Sequence, residues 1–148
     1  MQQNVLWLLK QLQLSLEQYE KIQMKELDLS PTQAILLHYL LLHKGQDIYS
    51  ADLHQTLCIS KSSVSSALKA LQQKGYVTVQ KNIWDDRKKQ LILTDQADGA
   101  KEALCAHLLK QNQQLCRQIP AQRLQLLADD LEQMIRNLKQ GTKQEASI

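Results

Sequence analysis

The chain has 148 residues and a mass of 17.0 kDa, enough for one domain and too little for two independent cores. Four Gly and two Pro argue against a turn-rich sandwich or barrel, while 28 Leu and 23 Gln, both good helix formers, point to a mainly α fold. The net charge of +3 is ordinary as a total, but residues 60–90 hold seven basic side chains against Asp85 and Asp86, a local excess that suits a polyanion surface as well as a solvated face.

The first predicted helix begins at Val5. Val5, Leu9, Leu12, Leu16 and Tyr19 step by four and three, and Leu6, Leu8 and Leu14 widen the apolar face beyond what a lone surface helix needs. Val5 to Leu9 is too short for a signal-peptide core, and no basic region precedes it. The longest nearly apolar run, Ala34 to Leu42, contains His38, so a cytoplasmic protein with no membrane span is expected.

Ser30-Pro31-Thr32-Gln33 reads as a helix start, with Ser as the cap, Pro in the first turn and Gln at the capping-box position. The helix that follows is apolar nearly all round and should be the buried centre; Lys44-Gly45 ends it. Ser50 is expected to cap a short helix carrying Leu53 and Leu57, and Ser60 another with Val64, Ala67, Leu68 and Leu71 inward. Gly75 closes that helix. The period then changes to two: Val77 and Val79, then Leu91 and Leu93, mark two strands around a polar tip at Asn82-Ile83-Trp84-Asp85-Asp86-Arg87.

Thr94-Asp95 restarts helix, with Leu104, Leu108, Leu115 and Ile119 on one stripe. Pro120 separates it from a last amphipathic helix bearing Leu124, Leu127, Leu131, Met134 and Leu138. Residues 141–148 show no periodicity and are expected to be a loose tail. Cys58, Cys105 and Cys116 are odd in number, lack CxxC spacing and read as reduced thiols without a redox role. His54 and Cys58 share a helix face, but two ligands make no zinc site, so neither metal nor cofactor is expected. No nucleophile–base order, Gly-rich phosphate loop or paired-carboxylate constellation stands out, which argues against an enzyme.

Two short helices followed by a hairpin are the parts of a winged helix-turn-helix. Ser60, Lys61, Ser62, Ser63, Ser65, Ser66 and Lys69 put small hydroxyls and cations on the outer face of the second short helix, opposite Val64, Leu68 and Leu71. Small residues allow close approach to a DNA groove, and hydroxyls bond phosphate oxygens or base edges. Four Ser in the first two turns are poor helix formers with no packing purpose, so double-stranded DNA is favoured over a plain surface helix.

Four motifs in order make the chain resemble the MarR family of winged helix-turn-helix transcriptional regulators over residues 1–140. They are Leu29-Ser30-Pro31-Thr32-Gln33, Ser60-Lys61-Ser62-Ser63-Val64-Ser65, Lys74-Gly75-Tyr76-Val77, and Asp85-Asp86-Arg87 with Leu91-Ile92-Leu93-Thr94 downstream. The resemblance implies a DNA-binding part at residues 30–95 and dimerisation helices at 1–29 and 96–140. It implies that Arg87 enters the minor groove, with Asp85 holding its guanidinium, and that Lys88 and Lys89 add phosphate contacts. A homodimer on a near-palindromic operator follows, acting as a repressor and released by a small aromatic or phenolic effector. The alternative is a helical dimerisation or adaptor protein whose wing makes protein contacts. His54 and Cys58 depart from the family's usual small residue and turn Gly, and Trp84 is expected to fold back onto the hairpin.

Overall fold

The computed structural model describes residues 4–23, 25–85 and 88–147. Helices α1 (Val5–Gln23), α2 (Pro31–Leu42), α3 (Ser50–Leu57) and α4 (Lys61–Gln73) precede strands β1 (Val77–Lys81) and β2 (Lys89–Leu93). Helices α5 (Asp95–Leu115) and α6 (Ala121–Ala146) follow, and a short 3-10 turn at Lys25–Leu27 leads into α2. Element order and type agree with the period analysis.

The boundaries are set by local chemistry. Asn4 Oδ1 accepts the Trp7 N–H at 3.3 Å and opens α1. At α2 the capping box is complete: Ser30 Oγ accepts the Gln33 N–H and Gln33 Oε1 accepts the Ser30 N–H, both at 3.2 Å. Ser60 Oγ caps α4 by accepting the Ser63 N–H at 3.2 Å. Gly75, at φ +83°, ends α4 in a Schellman turn, its N–H on Gln72 O and the Tyr76 N–H on Leu71 O.

Leucines of α2 form the centre of the fold. Leu36, Leu37, Leu40 and Leu41 are buried against Leu53 of α3, Val64, Ala67, Leu68 and Leu71 of α4, Val77 and Leu91 of the hairpin, and Ala97 and Leu104 of α5. The inward set of α4 recurs at three- and four-residue spacing, which sends its polar residues to the opposite side. β1 and β2 pair antiparallel with Val77 opposite Leu93 and Val79 opposite Leu91, so alternate residues of both strands face the core.

Several details differ from expectation. Ser50 does not cap α3: it is the first helical residue, and Tyr49 is the N-cap without a side-chain bond. Tyr49 is held elsewhere, because the segment before α3 runs along β2. Leu91 N–H bonds Ile48 O at 2.8 Å and Tyr49 bridges Gln90, a third partner for the hairpin that two residues are too short to reveal by periodicity. Residues 141–146 are not a loose tail. They continue α6 to Ala146, since Lys143, Gln144, Glu145 and Ala146 are good helix formers. Missing apolar periodicity there reports missing burial rather than missing helix.

The chain divides into two units, Met1–Leu109 and Lys110–Ile148. The first holds the buried core, yet its α1 contains no buried residue, and Leu6, Trp7 and Leu14 are each at least 60% exposed. The second consists of the end of α5 and α6. No residue of α6 is buried either, and Leu126, Leu127, Ile135 and Leu138 are exposed.

Candidate nucleic-acid interface

Ser60, Lys61, Ser62, Ser63, Ser65, Ser66 and Lys69 are all exposed, on the side of α4 opposite its buried residues. Their surroundings split them into two groups. Lys61, Ser65 and Lys69 line a groove of about 660 Å³ between α4 and the hairpin, with Lys81 and Lys89 on its far wall. Val64, Leu68, Val79 and Leu91 form its apolar floor, and among the described residues no carboxylate lines it. On the other side of α4, Ser62, Ser63 and Ser66 share a depression of about 310 Å³ with Ser30, Thr32 and Gln33 at the start of α2.

The hydroxyls differ in availability. Ser60 Oγ is engaged, accepting the Ser63 N–H and donating to Ser63 Oγ at 2.8 Å, so its first role is the cap. Ser65 and Ser66 have no side-chain hydrogen bond among the described residues, which leaves donor and acceptor capacity on the open face. Lys74, at the end of α4, points back instead: its Nζ donates to Gln33 Oε1 at 2.8 Å and to Asp28 O, tying α4 to the start of α2.

The turn between α3 and α4 explains how a Cys replaces the expected Gly. Cys58 adopts φ +56° and ψ +37° at the C-cap of α3, its N–H on His54 O, and the Ile59 N–H reaches the same carbonyl at 3.1 Å. The left-handed backbone is kept with a Cβ, at the local steric cost a non-Gly residue carries there. His54 lines the lysine groove. Among the described residues no group of three His, Cys, Asp or Glu is placed to hold a metal, and no helix is long and apolar enough to cross a membrane.

At the hairpin tip, Asn82 Oδ1 accepts the Trp84 N–H at 2.9 Å, Asn82 N–H bonds Lys88 O, and Lys88 N–H bonds Asp85 O, both at 3.0 Å. Lys88 Nζ lies 5.8 Å from the centre of the Tyr49 ring, so the two wing lysines diverge: Lys89 faces the groove and Lys88 packs on Tyr49. Arg87 and Asp86 lie outside the described residues, and with them the expected pairing of Asp85 with Arg87. Trp84 does not fold back. It is 93% exposed, because the last strand pairs, Gln80 with Gln90 and Lys81 with Lys89, offer an indole no apolar surface to cover.

Lys81, which the basic stretch of residues 60–90 includes but the outer face of α4 does not, and Thr32 at the start of α2 join these surfaces through the fold.

Comparison with known proteins gives the same picture. Residues 27–88 match the model of the MarR family. Among solved structures, a MarR protein from Peptoclostridium difficile superposes with a TM-score of 0.84 at 21% identity, covering 95% of this chain and 90% of that one. A putative MarR-family regulator from Listeria monocytogenes, solved with a 26mer DNA, gives 0.82 at 21% identity, with 92% and 89% covered. S. aureus MepR in its DNA complex gives 0.82 at 21%, with 91% and 98% covered. No curated protein matches the sequence. The family model thus spans α2, α3, α4 and the first strand of the hairpin, and the chain shares the fold of these MarR-family structures along most of its length.

Proposed function

We propose that this protein is a sequence-specific regulator that binds double-stranded DNA as a homodimer through two winged helix-turn-helix units. One observation carries the reading. The exposed side of α4 presents hydroxyls and lysines over a groove lined, among the described residues, by four lysines and no carboxylate, while Val64, Ala67, Leu68 and Leu71 of the same helix are buried. A helix with a rigid back and a small, cationic front is what a major groove admits. Ser65, Ser66, Ser62 and Ser63 are the base-edge and phosphate donors, Lys61, Lys69 and Lys89 the phosphate contacts, and Arg87 the minor-groove residue with Asp85 as its support. The two relatives solved with DNA support the same partner.

The homodimer is supported by the uncovered apolar faces of α1 and α6, each exposing large side chains within its own unit. Family resemblance, rather than any contact in the fold, supports the repressor role and release by a small aromatic or phenolic acid. The direct experiment is binding to labelled duplex DNA across a salt series. The reading expects log affinity to fall linearly with log salt, with a slope set by the phosphates neutralised. Salt-independent retention, or no binding to any duplex, would remove it.

A further inference from the structure

The hairpin tip carries a feature that the lysine groove does not account for. Ile83 and Trp84 are adjacent, 91% and 93% exposed, and the most exposed of the large hydrophobic residues among the described residues. The other such residues lie on helices, except Ile92 on β2 and Ile119 between α5 and α6. This pair stands on a turn instead. Trp84 N–H bonds Asn82 Oδ1, and Asn82 N–H bonds Lys88 O at the base of the turn.

Single exposed apolar residues need no explanation, but two adjacent bulky ones at a hairpin turn mark a contact. The shape restricts the partner to something concave, since a two-residue tip buries little against a flat surface. Charge restricts it further. Exposed Lys81, Lys88 and Lys89 flank the tip against one described carboxylate, Asp85, so an apolar point sits inside a cationic collar. A nucleic-acid minor groove matches both: anionic rims, and walls of deoxyribose whose faces are apolar.

We propose that Trp84, with Ile83 beside it, is a minor-groove contact of this wing, packing against deoxyribose faces and supplying affinity that is not electrostatic. The inference rests on the DNA-binding reading and deepens it by adding an apolar element to the wing. It has a consequence that distinguishes Trp84 from every lysine of the interface. Removing a lysine lowers the salt slope, whereas removing Trp84 lowers affinity at every salt concentration and leaves the slope unchanged.

The chain has two tryptophans, so Trp7→Phe leaves Trp84 as the sole indole reporter. The probes are poly(dA)·poly(dT), whose minor groove is narrow, and the duplex that the parent protein selects from a random library. With Trp7→Phe, Trp84 emission is expected to shift to the blue on adding either DNA. Trp84→Ala is expected to weaken binding on the order of tenfold with an unchanged salt slope, and Trp84→Phe to recover most of the loss. Circular dichroism identical to the parent's would show that the fold is intact. If the parent binds DNA while Trp84 emission stays fixed and Trp84→Ala binds equally well, the inference is overturned and the DNA-binding reading stands. If the parent binds no duplex, both fall. An emission shift with phosphatidylglycerol vesicles but not with DNA would overturn the inference in favour of a membrane surface.

Discussion

Helices α2 and α6 are both rich in leucine and end in opposite circumstances. Of the 12 residues of α2 five are buried, whereas none of the 26 residues of α6 is, despite the stripe at Leu124, Leu127, Leu131, Met134 and Leu138. The contrast separates two uses of apolar sequence. α2 is apolar nearly all round because α3, α4, the hairpin and α5 surround it within one chain. α6 is apolar on a stripe at three- and four-residue spacing, the pattern of a helix that meets another helix. A core residue is thus committed by folding, whereas on the proposed dimer a stripe residue would be committed by assembly.

The sharpest way to break this distinction is to truncate one residue of each kind. Leu71 is fully buried, so Leu71→Ala is expected to cost about 2–5 kcal/mol in urea unfolding, through lost transfer energy and a cavity. Leu138 is 74% exposed, and Leu138→Ala should change the unfolding free energy of dilute protein by no more than ~0.5 kcal/mol. Equal costs would show that α6 belongs to a core in the same sense as α2.

Assembly gives the next largest effect. Light scattering at micromolar concentration should report twice 17.0 kDa for the parent. Leu127→Asp, which places a charge on the α6 stripe, should shift the protein toward 17.0 kDa while leaving the α2-centred core folded. A parent that runs as a monomer would remove the dimer and, with it, the two-fold operator.

Contacts with DNA come third. Arg87→Ala is expected to weaken binding by ~1–3 kcal/mol on every sequence and to lower the salt slope by about one. Ser65→Leu should instead alter which operator positions matter, since Ser65 is exposed on the lysine groove without a competing hydrogen bond. Unaltered affinity of Arg87→Ala near physiological salt would take the wing out of the interface.

Smallest are the two left-handed positions beside α4. Gly75 sits at φ +83°, and a Cβ there would come within 2.6 Å of Gln96 Oε1, so Gly75→Ala should lower stability by more than ~1 kcal/mol. Cys58 accepts a similar backbone with a Cβ and is exposed; Cys58→Gly should relieve that cost and raise the thermal midpoint. A drop with Cys58→Gly would mean that its side chain contributes packing which its exposure does not reveal.

What was legible in the sequence follows from the range of the interactions involved. The Ser30 and Ser60 caps, the Schellman glycine and both periodicities are local, and each is found where the residues place it. The outer face of α4 was legible for the same reason, because seven polar residues alternate with four apolar ones at helical spacing. Other features depend on distant partners. Tyr49 rather than Ser50 caps α3 because the preceding segment is held along β2, a pairing that joins residues 48 and 91. Trp84 was misplaced for a related reason. A bulky apolar ring favours cover, but the neighbouring strand pairs are Gln and Lys, and only the register shows that nothing is available to cover it. The groove that unites Lys61, Lys69, Lys81 and Lys89 is likewise a product of packing.

The claim at the centre of this account is that two copies of the α4 face read DNA together. Selecting bound fragments from random-sequence duplexes tests it most directly. The account predicts enrichment of a near-palindromic site whose half-sites are one helical turn apart, roughly 10 base pairs centre to centre. Enrichment of an unpaired half-site would contradict the dimer, and no enrichment over the starting pool would contradict sequence-specific binding itself.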